Sequence, residues 1–296
     1  MKIKTSDFRV DDGGKVKLEK WPTRVKPYYA SKADYEALLA KNTDRLRKKQ
    51  EVLYAHDRYA LLVIFQAMDA AGKDGAIEHV MSGVNPQGCQ VFSFKHPGPD
   101  VLAHDFLWNA ARFLPERGHI GIFNRSYYEE VLIVRVLPHL LEAEKLPQET
   151  LKNGSIWRDR FKSIRGFEAH LHRNGTRVIK FYLHISKEEQ RKRLLARLDD
   201  PDKNWKFDEG DVEQRQYWAR YMEAYEACLG ETSTKEVPWH VVPADDKMNA
   251  RLIVSHTIIE ALEALPLAYP KVDKAREKEL EKVRAALEAD GGPGGR

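Results

Sequence analysis

Residues Tyr59–Ile77 read YALLVIFQAMDAAGKDGAI, and this stretch decides the fold. Its first half, Tyr59–Gln66, is short and continuously apolar, the pattern of a strand buried on both faces of a parallel sheet. Its second half is built from small residues. Gly72 and Gly75 punctuate it, and a helical pattern begins near Lys73. Strand, small-residue turn and helix form the layout of a phosphate-binding loop. There, backbone N–H groups converge on an anion, a lysine meets the outer phosphates, and the helix start adds its positive dipole end. Ala70, Ala71, Gly72 and Lys73 supply those parts. The match to G-x-x-x-x-G-K-[ST] is incomplete: Ala67 replaces the first glycine, and Asp74 stands where a Ser or Thr contacts magnesium. Asp69 is the informative departure. A carboxylate inside an anion-binding loop opposes its purpose unless a cation or a reacting group offsets it, so a metal-linked or acceptor-orienting role is expected there.

Outward from the loop, strands and helices alternate. Gln90–Lys95, His119–Asn124, Arg177–Ile185 and Pro238–Pro243 read as further strands. Helices are expected from about Ser31, over Asp100–Leu114, along Trp157, Phe161, Ile164, Phe167 and Leu171, from Lys187, along Trp218, Tyr221, Tyr225 and Cys228, and through Leu252–Leu265. The alternation predicts an α/β fold in three layers, a mostly parallel sheet between helices. Residues 1–50 are expected to form an extension and a helix packed on the core. The main domain is placed at 51–268, and a charged helix with a frayed end, Gly291–Arg296, at 269–296.

Composition narrows the functions. The chain has 296 residues, 42% of them hydrophobic, so a substantial core can be buried and wholesale disorder is excluded. No apolar run approaches the ~20 residues of a membrane-spanning helix. The start, MKIKTSDFRV, has no signal-peptide core, from which a cytoplasmic protein is expected. Cys89 and Cys228 are too few for a disulfide framework or a cysteine-based zinc site, and the histidines show no metal-ligand spacing. A formal net charge of +4 does not by itself announce nucleic acid, and no nucleic-acid or membrane partner is expected.

Two further segments carry charge in a telling pattern. Asn124 and Arg125 lie where a strand ends, the edge at which open parallel sheets bind ligands, and the Arg125 fork suits phosphate oxygens. Between Lys187 and Lys206 lie seven Lys and Arg residues, with Arg193 and Arg197 four apart on one helix face and Pro201 ending the helix. A cationic lid there, about 187–210, suits a polyanionic substrate, although interleaved Glu and Asp residues also fit a solvated helix with i,i+4 pairs.

Three motifs in order, Met68–Gly75 (MDAAGKDG), Gly118–Val136 (GHIGIFNRSYYEEVLIVRV) and His184–Phe207 (HISKEEQRKRLLARLDDPDKNWKF), resemble the type 2 polyphosphate kinases, a thymidylate-kinase-like branch of the P-loop kinases. Many members carry Asp at Asn124; here Asn124 with the acidic pair Glu129 and Glu130 is similar to the subgroup that accepts both AMP and ADP. The resemblance implies magnesium-dependent (or manganese-dependent), reversible in-line transfer of the terminal phosphoryl group between inorganic polyphosphate and AMP, ADP or ATP. It implies catalytic roles for Asp69, Lys73 and Arg125, metal binding by Asp69 and Glu130, and substrate contacts from Ala70, Ala71, Gly72, Asp74, Gly75, Lys95, Asn124, Glu129, Arg193, Arg197, Lys203 and Lys206. It also implies a homodimer or homotetramer. Asn109 and Ala111 depart from the L-W-R-x-H run of relatives. An ATP-dependent kinase for a nucleotide or small molecule, and a non-catalytic polyanion-binding protein, stay open as other readings of the same residues.

Overall fold

A computed structural model describes residues 3–152, 154–202, 204 and 209–290 of the chain. Five strands, β1 (Ala60–Ala67), β2 (Cys89–Ser93), β3 (Ile120–Asn124), β4 (Thr176–His184) and β5 (Trp239–Pro243), form one sheet in the order β2-β3-β1-β4-β5. All four pairings are parallel. The central strand β1 is buried from Ala60 through Gln66, as its unbroken apolar run requires.

Helices α1 (Lys32–His56), α2 (Lys73–Met81), α3 (Ile156–Arg173), α4 (Lys187–Leu198), α5 (Trp218–Thr232) and α6 (Lys247–Glu263) accompany the sheet, and α7 (Lys274–Asp290) is exposed along its whole length. One layer joins α6 to α2 and the sheet, with α1 laid against α6; the other joins α3 to β4 and to α5. Ser31 caps α1 as its sequence predicts, its side chain accepting from the Asp34 N–H. The chain over Asp100–Leu114 is not one helix. Two short turns, Pro99–Leu102 and Trp108–Ala111, flank Asp105, whose carboxylate accepts from the Leu107 N–H at 3.0 Å. That local bond offers the backbone a turn in place of the helix. Gly291–Arg296, where a frayed end is expected, lie outside the described residues.

Both sheet edges are dealt with differently. β2 is short and half-exposed. The β5 edge is covered by the amino-terminal segment: the Val10 N–H donates to the Trp239 carbonyl at 2.9 Å, and Arg9 bridges His240 in antiparallel fashion. This segment passes so close to α5 that a Cβ on Gly230 would lie 2.7 Å from the Gly14 carbonyl oxygen.

A charged network crosses the layer between β4 and α3. Lys180 is fully buried in mid-strand, and its Nζ donates to Glu168 Oε2 at 2.6 Å, to Tyr128 Oη at 2.9 Å and to the Thr232 carbonyl at 2.8 Å. Tyr127 and Tyr128 each donate to the other Glu168 oxygen at 2.8 Å. Every ammonium proton and both carboxylate oxygens are thereby matched, the condition under which a buried pair is tolerated. Replacing Lys180 by Met should leave the Glu168 charge buried without its cation and cost about 3–5 kcal/mol. Urea denaturation of the variant checks this, and a midpoint equal to that of the native chain would refute it.

Candidate active site

The loop between β1 and α2 has two chemically different sides. Its carbonyls are taken by protein donors: Lys73 Nζ donates to Ala67 O at 3.1 Å, the Ala71 N–H to Met68 O at 3.2 Å, and Gln190 Nε2 to Asp69 O at 3.0 Å. Arg193 Nη1 donates to Ala71 O at 2.8 Å and to Ala70 O at 3.3 Å. Its amide side is open. No side chain caps α2 among the described residues, and the first N–H returned to the helix is that of Ala76, on Gly72 O at 2.9 Å. The N–H groups of Lys73, Asp74 and Gly75 therefore stand without intrahelical acceptors at the positive end of the helix dipole. Two left-handed backbone positions make the turn, Gly72 at φ 106° and Ala70 at φ 61°. The second lacks glycine's freedom, so the surrounding bonds must hold it there.

Lys73 is buried, and its pKa is lowered, first by loss of water and then by the charge of Arg125; Asp69 and Glu129 act in the opposite sense. Arg125 follows β3 directly, with a left-handed φ of 62°, and its Nη2 donates to Asp69 Oδ1 at 2.8 Å. Asn124 Nδ2 donates to Asp74 Oδ1 at 2.6 Å, so β3 and α2 are tied across the same sheet edge. Beside this lies a cavity of about 180 Å³ lined by Ala67, Asp69, Arg125, Glu129, Tyr221 and Tyr225 among others. Asp69, Lys73, Asp74, Asn124, Arg125 and Glu129 are thus brought together. Lys95 is exposed two residues beyond β2, next to Phe94, whose N–H donates to Asn124 O at 3.0 Å.

Some expected residues are placed elsewhere. Glu130, expected at the metal, turns into a separate cluster: Arg160 Nη1 donates to its Oε2 at 3.3 Å and to its carbonyl at 2.7 Å, and Nη2 pairs with Glu144. They sit in a 3-10 turn over Tyr127–Val131, where successive residues point about 120° apart, so the two carboxylates diverge. Arg193, expected to clamp substrate from a lid, is buried. Besides the loop carbonyls it bonds Ala244 O at 2.6 Å and Asp245 O at 3.2 Å, and it pairs with Glu189 at 2.9 Å. The start of the expected lid is in this way latched to the loop. Arg197 is partly exposed on the following turn. Lys203 and Lys206 lie outside the described residues.

Sequence reading missed several residues here. Gln190 joins the loop to Arg215, whose Nη1 donates to Gln190 Oε1 at 2.6 Å. Tyr221 and Tyr225 line the cavity, although their helical stripe signals only core. Cys228 is buried with its thiol pKa raised by that burial, and Cys89 is pushed up to about 11 for the same reason, as fits structural thiols. No group of three or more His, Cys, Asp or Glu side chains arranged to hold a metal occurs among the described residues. No helix of the described residues is long and apolar enough to cross a membrane.

Residues 29–268 match the family Polyphosphate kinase 2 (PPK2). An ADP-polyphosphate phosphotransferase of Rhodopseudomonas palustris is 61% identical, over 97% of this chain and 99% of its own. An AMP/ADP-polyphosphate phosphotransferase of Meiothermus ruber is 45% identical, over 92% and 97%. The crystal structure of polyphosphate kinase 2 from Arthrobacter aurescens superposes with a TM-score of 0.83 at 41% identity, covering 94% of this chain and 95% of that one.

The Glu130 cluster has a consequence for stability. Burial, and then the charge of Glu144, push the Glu130 carboxyl up from its usual 4.5 to about 8, against the pull of Arg160. Between those two pH values the folded chain holds a proton that the unfolded chain has released, so stability falls as pH rises through the window. Glu130→Gln keeps an acceptor for Arg160 without that charge. Its melting temperature should match the native one near pH 4.5 and exceed it progressively towards pH 8, by several degrees. Thermal unfolding across pH 4.5–9 checks this; a constant gap would count against it.

Proposed function

This chain belongs to the polyphosphate kinase 2 family, and from that premise we propose that it transfers the terminal phosphoryl group of inorganic polyphosphate to ADP or AMP, reversibly. The observation that carries the reading is the two-sided loop. Every carbonyl from Ala67 to Gly72 has a protein donor, while the amides at the start of α2 are left for an anion. Such a cradle with Lys73 binds a chain of condensed phosphates through charge-assisted hydrogen bonds.

Phosphoryl transfer asks little covalent chemistry of a protein; positioning and charge compensation supply most of the rate. In this reading Lys73 and the amides of Lys73–Gly75 hold the donor phosphates, and Arg125 offers its fork to the group in transit. Asp69 stands on the opposite side of Arg125, where the acceptor phosphate arrives. The acceptor end of the nucleotide then reaches the cavity lined by Tyr221, Tyr225 and Glu129. The donor set also suits magnesium, with manganese as a substitute: that ion takes one or two carboxylates, completes its shell with water and substrate phosphate oxygens, and needs no all-protein cage. Asp69 and Glu129, which line one cavity, would hold it, and when bound it would neutralise phosphate charge. A homodimer or homotetramer in the cytoplasm completes the proposal, carried by family membership alone.

ATP formation from polyphosphate and ADP with magnesium, in the absence of added ATP, tests the reading. We expect ATP to accumulate, and Asp69→Ala to lower turnover by about a hundredfold or more while polyphosphate binding is kept. No ATP from the native chain would overturn the function; native turnover in Asp69→Ala would overturn the site.

A further inference from the structure

Ala70 is held in the left-handed region at φ 61° without glycine's freedom, so the two peptide planes that flank it are fixed by bonds from outside the loop. Both bonds come from α4. The plane before Ala70 carries the Asp69 carbonyl, which accepts from Gln190 Nε2 at 3.0 Å. The plane after it carries the Ala70 carbonyl, which accepts from Arg193 Nη1 at 3.3 Å. Gln190 and Arg193 stand three apart on one helix and so reach the loop together. Their tasks differ. Arg193 holds the carbonyls of Ala70 and Ala71, which lead into α2. Gln190 holds the peptide of Asp69 itself, whose carboxylate meets Arg125 Nη2 at 2.8 Å.

Gln190 is held in turn. It is 1% exposed, and its Oε1 accepts from Arg215 Nη1 at 2.6 Å. A guanidinium only donates and a carbonyl only accepts, so the residue between them must accept at one end and donate at the other. A carboxamide does both. A carboxylate there would satisfy Arg215 and oppose the Asp69 carbonyl. Arg215 opens the 3-10 turn Arg215–Tyr217 before α5, and its Nη1 also reaches the Lys187 carbonyl at the start of α4, at 3.0 Å. The preceding residue belongs to the cavity: Gln214 Oε1 accepts from the Tyr221 hydroxyl, and both residues line that space with Asp69. Two consecutive residues thus meet the cavity and, through Gln190, the carbonyl side of the loop.

We propose that Gln190 is a positioning residue for the transfer, joining Arg215 to the Asp69 peptide so that the Asp69 carboxylate is aimed at the acceptor phosphate. The inference rests on the phosphoryl-transfer reading and deepens it. A turn of the Asp69–Ala70 peptide changes ψ of Asp69 and φ of Ala70 together, and so swings the carboxylate relative to the cradle. In-line transfer is sensitive to a misplacement of about 1 Å. Gln190 touches neither phosphate nor nucleotide in this scheme and acts only through the backbone it holds. The amides of Lys73–Gly75 keep the support that Arg193 gives the turn before them, so losing Gln190 slows the chemical step without emptying the cradle.

The experiment measures kcat and KM for ATP formation from long-chain polyphosphate and ADP by the full chain, with equilibrium binding of the polyphosphate read separately. Native protein is compared with Gln190→Met, Gln190→Glu, Arg215→Met, Arg215→Lys and the double variant Gln190→Met/Arg215→Met, all at about pH 8, where a glutamate beside Arg215 is ionised. We expect both Gln190 variants to lower kcat about tenfold or more while polyphosphate affinity stays within about twofold. Arg215→Met should lower kcat in the same sense, and Arg215→Lys should restore most of it by donating to Gln190 Oε1. The double variant should be no slower than Gln190→Met, since the two residues form one chain of bonds. A residue that only supports the fold would lower melting temperature and affinity together, with no such split. Native kcat in Gln190→Met, equal losses in kcat and affinity, or additive losses in the double variant would overturn the inference. Arg215 is half-buried, so its two variants still decide the matter should a Gln190 variant melt early. A native chain that forms no ATP would sink the proposed activity. Native turnover indifferent to both residues would sink this inference alone.

Discussion

The polarity of one short backbone segment governs the rest of this structure. From Ala67 to Gly72 the carbonyl oxygens are bound by Lys73, Ala71, Gln190, Arg193 and Ala76, and what remains to the loop is its N–H face. Holding a non-glycine residue, Ala70, at φ 61° has a cost that these bonds offset. It follows that Arg193 must be buried, that α4 must lie where Gln190 and Arg193 can reach the loop, and that the β5–α6 turn must present Ala244 O and Asp245 O to the same guanidinium. A single side chain thus aligns three segments around the anion site. Arg suits this task because its rigid fork carries five donors, whereas a lysine could reach fewer of these oxygens at once.

The opposite half of the site hangs on a second buried charge. Arg125 and Glu129 flank the sequence Ser126-Tyr127-Tyr128, and both tyrosines are tied to Glu168, which Lys180 in turn fastens to the middle of β4. The segment that carries Arg125 and Glu129 is therefore fixed by a network in the core. Arg125 and Asp69 then close the gap between the two halves at 2.8 Å. Positioning within fractions of an ångström is what in-line transfer requires, and these linked networks supply it.

Much of this could be read from the chain alone, for identifiable reasons. Buried parallel strands are apolar on both faces, so YALLVIFQ and RVIKFYLHI declare themselves, and the small residues after β1 announce a turn that binds anions. Asp69, Lys73 and Arg125 come together because their positions are set by strand ends, which the sequence marks. What stayed hidden depends on three-dimensional accounting. The charge of Arg193 is visible but its burial is not; the same i,i+4 spacing that suggests a solvated Glu189–Arg193 pair is present in the structure, with the guanidinium turned inward. Glu129 and Glu130 are adjacent in sequence and part company because a helical turn rotates them. Asp105 lies between two short turns where one helix over Asp100–Leu114 is expected, its carboxylate offering a local hydrogen bond in place of the helix. Lys180 shows only as an interruption in an apolar run, and nothing in the sequence marks Glu168, on the neighbouring helix, as its partner.

Charge is distributed unequally about the loop, and that asymmetry has a chemical meaning. Asp69 and Glu129 line the cavity together with Arg125, so both signs of charge meet at that end of the loop. Orientation of a symmetric chain cannot come from the chain itself, whose units are alike. It must come from the protein, through groups that differ along the loop: the Asp69–Arg125 pair at its start and the open amides of α2 at its end.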